Sequence, residues 1–447
     1  MRKPIDASSF GTENIFKILL RVAPPVMLAL LIQALYNIVD SYYVGKFSGD
    51  GLTALSVIYP LQLIIIALAV GTGVGVNTYM ARLYAHNDDE GAKKTAGTGI
   101  FAATVMWVLF AAISAALMKP YIQIQANTDK AREYAFIYGM IVCVGSVGLF
   151  TESIFSKILQ SRGNMVLPTV AQVAGAVTNI ILDPVLIFNC NMGIAGAAVA
   201  TVIGQIVAAV ITGAKAFCRV PPLSEVKKFL KPIFSLGYPS IVMQLFFTVY
   251  ILIFNVILKK FSDDAVTVLG LYYKIQSFFF IPLTGLQTCI VPIISYNYAQ
   301  RSYKRVNQTF IYSSAITAAF MLIGTLCFVF IPRQLLSIFS NSENVFAIGE
   351  IAFKIIGLSF VPATMSFMPP VFFQAIGKSK PSIWLTLSRQ VFCLIPIFFA
   401  LSFVGLNYVW IAFPAAETIT GTIGTILYIK EIKFFKREEL SASQQQT

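Results

Sequence analysis

The stretch ILLRVAPPVMLALLIQALYNIVDSYYVG, residues 18–45, decides how the rest of the chain is interpreted. It exceeds the roughly 20 apolar residues that cross a bilayer as a helix. It nevertheless carries Asp40, although a carboxylate at the centre of an inserted helix costs about 2.5–3.5 kcal/mol, and less toward an interface. Gln33, Tyr36 and Asn37 precede Asp40 by seven, four and three residues, so these polar side chains share one helix face. The polar face must point into protein or water, unless Asp40 simply reaches solvent at the membrane edge.

Two adjacent prolines, Pro24 and Pro25, lie one third of the way along this stretch. Proline removes a backbone hydrogen-bond donor and clashes with the preceding turn of a helix. The pair therefore predicts a kink in the first helix.

The composition predicts a membrane protein. Of 447 residues, 57% are hydrophobic and 12% are charged, about half the charged share of a soluble protein. Six scattered cysteines have no metal or redox spacing, and the single histidine, His86, lies in a polar loop. We therefore expect no enzyme activity, metal site or cofactor. The net charge of +13 is spread over short loops, so we expect no nucleic-acid partner.

Twelve apolar runs predict an all-α polytopic membrane protein with twelve transmembrane helices. Alternate polar segments that include both termini hold 23 Lys and Arg residues, whereas the opposite segments hold 7. Because cytoplasmic segments carry the cationic excess, both termini are expected in the cytoplasm. The runs, numbered here as spans 1 to 12, cover residues 18–44, 52–80, 96–119, 132–158, 166–188, 193–217, 236–258, 265–294, 309–332, 345–375, 381–404 and 407–429.

The chain repeats itself at an offset of about 214 residues, which brings Pro25 onto Pro239 and Gly163 onto Gly377. Six spans per half is an even number, so the halves form a parallel repeat about an axis along the membrane normal. Paired bundles create a cleft that opens to either side by rocking, which favours a transporter over a channel. The predicted regions are an N-lobe at 1–217, a cytoplasmic linker at 218–235, a C-lobe at 236–430 and a cytoplasmic tail at 431–447.

Two acids are the main candidates for ion coupling. Asp183 lies in span 5, one turn after Asn179. Spans 1 and 5 both run outward, so Asp40 and Asp183 fall in the outer half of the membrane. Two carboxylates in one dry pocket cannot both ionise cheaply, which predicts a reversible proton acceptor or a site for one Na⁺. Alternatively, Asp183 is a hydrogen-bonded helix end beside Pro184.

The second lobe is expected to provide the substrate surface, because the counterparts of Asp40 and Asp183 there are Phe254 and Pro396. Aromatic, Met and Gln side chains adapt to flat, cationic, apolar ligands through dispersion and cation–π contacts. The alternative for each such side chain is packing against lipid or protein. The residues predicted to line the cleft are Gln33, Gln244, Phe247, Tyr250, Gln276, Met365 and Glu417.

Two further acids have alternative roles. Glu417, in span 12, either touches the substrate or pairs with one of three intramembrane cations: Lys274, Lys354 or Arg389. Glu152, close to the cytoplasmic end of span 4, is expected to form a structural pair near Lys157.

At these residues the chain resembles the multidrug and toxic compound extrusion (MATE) family of cation-coupled antiporters, over essentially its whole length. The segments that carry the resemblance are P-x(14)-D-x(4)-G from Pro25 to Gly45, LQSRGNMVLP after span 4, NIILDPVLIF in span 5, MGIAGAAVAT before span 6 and FQAIGKSKP after span 10. The stretch WIAFPAAE is similar to the DinF-type bacterial branch. The resemblance implies two six-helix lobes around a central cleft, in a bacterial cytoplasmic membrane.

The resemblance also implies roles for individual residues. Asp40 would be the principal coupling carboxylate, and Pro25 the proline whose bending accompanies protonation. The residues that match the hydrogen-bond network of the N-lobe are Tyr36, Tyr138, Asn179, Asp183 and Thr201. Span 7 lacks the acid that other branches carry there, and span 10 has only the peripheral Glu350. A Na⁺ site in the C-lobe is therefore not expected.

The expected function is export of amphiphilic organic cations by a monomer, in exchange for H⁺ through Asp40 and Asp183. Na⁺ at the same acids is the alternative coupling ion. A lipid-linked precursor flippase of the same superfamily is the alternative function, and its anionic substrate would require Arg or Lys inside the cleft.

Overall fold

A computed structural model describes residues 8–125, 128–339 and 342–444, and every regular element in these ranges is helical. Two segments, Val185–Asn189 after α7 and Ser388–Leu394 after α16, are π-helical. The α-helices are α1 (Ser9–Thr12), α2 (Ile15–Phe47), α3 (Gly49–Ala85), α4 (Asp89–Gln125), α5 (Asp129–Val144), α6 (Val147–Ser161), α7 (Val166–Pro184), α8 (Ile194–Ala216), α9 (Leu223–Lys259), α10 (Asp263–Phe279), α11 (Ile281–Ala299), α12 (Tyr303–Phe330), α13 (Pro332–Ser337), α14 (Glu343–Gly357), α15 (Phe360–Ala375), α16 (Ser379–Leu387), α17 (Ile395–Ser402), α18 (Leu406–Val409) and α19 (Ala412–Gln444).

The predicted spans correspond to these helices. Within the described ranges, nine helical segments are long and apolar enough to cross a membrane, and two bent pairs bring that number to eleven. Spans 8 and 10 are the bent pairs, with angles of 52° between α10 and α11 and 54° between α14 and α15. The twelfth span is the first part of α19, where Glu417 and several Thr and Gly residues dilute the hydropathy.

The internal repeat is visible in the backbone geometry. Asn87 and Arg301 have φ angles of 57° and 56°, and Gly163 and Gly377 have φ angles of 85° and 82°. Non-glycine residues rarely adopt positive φ, so two matched turns separated by 214 residues are a strong sign of a shared backbone. The serines that cap α3 and α10 have the same separation: Ser48 and Ser262.

Contacts divide the chain into two units. The first unit contains Pro24–Leu245 together with the described residues through Thr12. The second contains Glu13–Ala23 together with Phe246 and the described residues after it. The helix α2 continues through Pro24 and Pro25 without ending, and the border between the units falls at this proline pair.

Two glycines set the position of the functional residues in the first unit. A Cβ atom at Gly175 of α7 would lie 2.6 Å from the carbonyl oxygen of Gly204 of α8. A Cβ atom at Gly204 would lie 2.7 Å from the carbonyl oxygen of Gly175. The two helices therefore cross with their backbones in contact, which only glycine permits. This crossing holds Asn179 of α7 beside Thr201 of α8.

Candidate coupling site

Two buried carboxyl groups form the centre of the candidate site. Asp40 on α2 is 8% exposed, and Asp183, just before the π-helical turn Val185–Asn189, is fully buried. Their carboxyl groups are hydrogen-bonding neighbours. A hydrogen bond between two carboxyl groups requires a proton on one of them, because two adjacent carboxylates repel each other and have no donor. The structure thus brings together the two acids that the sequence singles out.

A chain of polar side chains leads away from Asp183. The Asn179 amide donates to Asp183 Oδ1 at 3.4 Å and to Thr201 Oγ1 at 3.5 Å. Thr201 also hydrogen-bonds with Tyr138, whose hydroxyl accepts a bond from Gln62 Nε2 at 3.4 Å. The predicted network residues Tyr138, Asn179, Asp183 and Thr201 therefore lie in one connected group.

Tyr36 lies near both this network and a third acid. Its hydroxyl is within electrostatic range of Asp40, Asp183 and Glu152. The carboxylate of Glu152 accepts a hydrogen bond from Ser156 Oγ at 2.6 Å and a second from the side chain of Gln172. Lys157 also lies within electrostatic range of Glu152, so the structural pair that the sequence suggests stays a prediction.

A cavity of about 110 Å³ opens beside Tyr36 within the first unit. The glycine crossing of α7 and α8 forms part of its wall, because Gly175 and Gly204 have no side chains to fill the space. Thr201 belongs to the wall as well as to the network around Asp183. The other polar residues of the wall are Gln33, Tyr36, Glu152, Gln172, Asn179 and Gln205.

In the second unit, a buried ion pair neutralises Glu417. The guanidinium of Arg389 donates to the Glu417 carboxylate from Nε at 2.9 and 3.1 Å, and its Nη2 atom lies 2.9 Å from Oε1. The two side chains are only 7% and 5% exposed. Arg389 also stacks over the ring of Phe367 at 3.8 Å and hydrogen-bonds with Tyr250. Of the two alternatives for Glu417, the structure shows the pair with Arg389.

The remaining residues predicted to line the cleft are divided between the units. Gln33 and Gln244 belong to the first unit, and Gln33 reaches the cavity wall. In the second unit, the rings of Phe247 and Tyr250 are 5.4 Å apart in an edge-to-face contact. Gln276 hydrogen-bonds with Tyr272, a neighbour of Tyr250, and Met365 packs against Gly421 of α19.

Comparison with known proteins identifies the family. The MatE family profile matches residues 25–185 and 239–399, more than half of the chain. The second match begins at residue 239, which is 214 residues after residue 25, so the family unit occurs twice at the predicted offset. The chain belongs to the MATE family.

The similar proteins include export proteins and transporters at low sequence identity. The multidrug export protein MepA of Staphylococcus saprophyticus is 23% identical over 425 residues, which covers 92% of each chain. The FAD transporter of Shewanella oneidensis is 21% identical over 428 residues, covering 93% of this MATE chain and 95% of that protein. A solved MOP superfamily transporter from Pyrococcus furiosus, described as having a binding pocket of reversed polarity, is 23% identical. Its TM-score is 0.91, with 97% of this chain and 100% of that chain covered.

This MATE protein is therefore a multi-pass membrane transporter, with twelve transmembrane helices in two lobes. The predicted family and fold class are confirmed. The roles of individual residues stay predictions.

Sequence reasoning missed two polar residues of the cavity wall, Gln172 and Gln205, and it gave Glu152 a structural role only. A periodic signal was available for the two glutamines. Gln172 precedes Asn179 by seven residues and Gln205 follows Thr201 by four, so each shares a helix face with a residue of the predicted network. Glu152 has no such neighbour, and its place on the wall depends on how α6 packs against α7 and α8.

Proposed function

We propose that this MATE transporter exports amphiphilic organic cations across a bacterial cytoplasmic membrane in exchange for protons, by alternating access. The observation that carries the proposal is the contact between the buried carboxyl groups of Asp40 and Asp183. Neither group takes part in an ion pair among the described residues. The pair therefore depends on an exchangeable proton, and a change in its occupancy changes the hydrogen bonds at the ends of α2 and α7.

Three observations support export of cationic drugs. The MepA relative is described as a multidrug export protein. The first unit places three carboxyl groups near Tyr36, which favours a positive ligand there. The aromatic side chains around Tyr250 in the second unit suit flat, apolar and cationic molecules.

An anionic substrate fits the structure less well. The FAD transporter relative and a lipid-linked precursor flippase would both handle phosphate-bearing molecules, which need unpaired Arg or Lys groups. Arg389 is already neutralised by Glu417, and Lys274 and Lys354 are exposed side chains. The charge distribution thus favours cations.

Na⁺ is the competing coupling ion, because the carboxyl oxygens of Asp40 and Asp183 and the hydroxyl of Thr201 are oxygen ligands that a hard cation accepts. We favour the proton because the two carboxyl groups already make direct contact with each other. The transporter would act as a monomer with both termini in the cytoplasm, and it would need no cofactor.

Purified protein in liposomes tests this function. A fluorescent organic cation is supplied, and either a pH gradient or a Na⁺ gradient is imposed alone. The proposal predicts accumulation of the cation driven by the pH gradient and abolished by a protonophore. Accumulation driven by Na⁺ alone would assign the other coupling ion to this transporter, and no accumulation under either gradient would refute antiport of cations.

A further inference from the structure

The last helix, α19, continues well beyond the part that crosses the membrane. Its counterpart in the first unit, α8, ends at Ala216, and the chain leaves the helix there. Alignment of Gly193 with Gly405, which both have positive φ, makes Tyr428 the counterpart of Ala216. From Tyr428 to its end at Gln444, α19 thus adds about four helical turns that the first unit lacks.

One face of α19 changes its chemistry where this extension begins. Successive members of the face are four, three, four, three and four residues apart, which keeps them on one side of a helix. They are Ile419, Ile423, Ile426, Lys430, Lys433 and Arg437. The three isoleucines are between 38% and 49% exposed, and the three cations are also exposed. The face is therefore apolar within the span and basic immediately after it.

This change marks the level at which lipid chains give way to lipid headgroups. Exposed isoleucines of a transmembrane span contact lipid chains, whereas Lys and Arg side chains at its end reach the interface. From Lys430 to Arg437 the helix rises about 10 Å, and the headgroup layer on each side of a bilayer is roughly 5–8 Å thick. Phe434, an aromatic side chain that is 49% exposed, lies one turn from both cations, as is typical of helices at a membrane surface.

The extension is fixed against its own unit on the opposite side. The ring of Phe435 stacks on Tyr303 with centroids 4.4 Å apart, and the Tyr303 hydroxyl donates to Glu438 Oε2 at 2.6 Å. Lys378 Nζ donates to Glu431 Oε2 at 2.7 Å. These contacts hold the basic face in place, so an anion that binds there need not order the helix first.

The cations of the basic face have no acidic partner within the described part of the chain. Neither Lys430, Lys433 nor Arg437 takes part in an ion pair there. Like charges one turn apart repel each other, and an anion between them removes that repulsion. A phosphate group suits this position because guanidinium and ammonium groups both bind phosphate oxygens.

We propose that the basic face of α19 binds an anionic phospholipid. The lipid phosphate lies between Lys433 and Arg437 with Lys430 beside it, and the acyl chains follow Ile426 and Ile423 along the span. A phosphatidylglycerol headgroup keeps its full negative charge, whereas the amine of a zwitterionic lipid cancels the phosphate charge. This surface is separate from the coupling acids and goes beyond the proposed export of cations.

Two fluorescent lipids with identical chains test the proposal by equilibrium binding to the purified full-length protein in a neutral detergent. One has a phosphatidylglycerol headgroup and the other a phosphatidylcholine headgroup. The wild type is expected to bind phosphatidylglycerol about tenfold more tightly, because each cation near the headgroup adds attraction for an anionic lipid. Lys430→Gln, Lys433→Gln and Arg437→Gln combined should abolish this preference and leave phosphatidylcholine binding nearly unchanged.

The matched control removes the same charge elsewhere. Lys227→Gln, Lys228→Gln and Lys231→Gln combined neutralise three exposed cations of α9 in the first unit. This variant should keep the wild-type preference for phosphatidylglycerol. Glycerol phosphate, which has the charge of the lipid without its chains, is added as a competitor and should not displace the fluorescent lipid.

Equal affinities of the wild type for the two lipids overturn the proposal. An equal loss of preference in both triple variants does so as well, since the attraction would then come from the overall charge of the protein. Displacement by glycerol phosphate would instead assign the surface to a soluble anion. If the triple variant of α19 does not fold, Arg437→Gln alone replaces it, and an unchanged preference in that variant refutes the site.

Discussion

The two units differ where their fifth and sixth membrane helices cross. In the first unit, α7 and α8 meet at Gly175 and Gly204, and a cavity of about 110 Å³ lies beside the crossing. In the second unit, the π-helical turn Ser388–Leu394 and α19 are joined by the buried pair of Arg389 and Glu417. Among the described residues, Asp40 and Asp183 of the first unit thus take part in no ion pair, whereas Glu417 of the second unit is neutralised by Arg389.

Alignment of the two repeats shows which single residues correspond at this crossing. Gly193 and Gly405 both have positive φ, at 54° and 149°, and they cap the N-termini of α8 and α18. Alignment at these glycines, 212 residues apart, makes Gln205 the counterpart of Glu417. An amide that lines a cavity in one unit therefore corresponds to a carboxylate that closes an ion pair in the other. The two halves of the chain can thus share a backbone geometry although their charges, and with them their functions, differ.

The largest expected effect is that of Asp40→Asn, which removes the exchangeable proton while preserving side-chain volume. Proton-driven efflux should be abolished, because the amide mimics a permanently protonated acid. Expression and thermal stability should remain close to wild type. The measurement is substrate accumulation in liposomes under a pH gradient, and a normal rate of uphill transport by this variant would remove Asp40 from the mechanism.

The next prediction tests whether the second unit uses its charges for stability. Arg389→Met leaves the Glu417 carboxylate buried without its cation, and removal of one partner of a buried pair costs about 3–5 kcal/mol. The double variant Arg389→Met with Glu417→Leu should recover most of this loss and retain proton-driven efflux. Thermal unfolding in detergent and transport in liposomes measure both properties. Loss of transport in a stable double variant would show that the second unit takes part in coupling.

A third prediction concerns the proline pair of α2 at the border of the two units. Pro25→Ala should slow efflux about tenfold, because a restored hydrogen-bond ladder makes bending of the helix more costly. Equilibrium binding of substrate should be retained. Pro239→Ala is the matched control, since Pro239 is the repeat counterpart in α9 and should matter much less. A fully active Pro25→Ala carrier would favour direct competition of proton and substrate over bending of α2.

A smaller effect is expected for Asp183→Asn. The variant should transport more slowly and with a changed pH dependence, because the charge of Asp183 helps to set how firmly Asp40 holds its proton. Glu152→Gln should matter less, because the hydrogen bonds of Glu152 come from Ser156 and Gln172 and not from either aspartate. Uptake rates measured over a series of pH values separate the two outcomes. Identical pH profiles for Asp183→Asn and the wild type would show that Asp183 does not belong to the coupling pair.

The features that the sequence could predict are those with a local or periodic signature. Hydropathy marks the spans, and the repeat shows in residues such as Gly163 and Gly377, whose backbone conformation favours glycine. The sequence also identifies Asp40 and Asp183, since acids in apolar spans are rare. It could not choose a partner for Glu417, because Arg389 is 28 residues away on another element and only packing brings the two side chains together. Glu152 was underestimated for the same reason.

The most direct test of proton–substrate exchange counts the protons that a substrate displaces. Purified protein in weakly buffered solution is titrated with the fluorescent organic cation of the liposome assay while a pH indicator follows released protons. We expect release of about one proton per bound cation from the wild type and almost none from Asp40→Asn, because the proton shared by Asp40 and Asp183 is the one displaced. Equal release from Asp40→Asn and the wild type, or no release from the wild type, would contradict it.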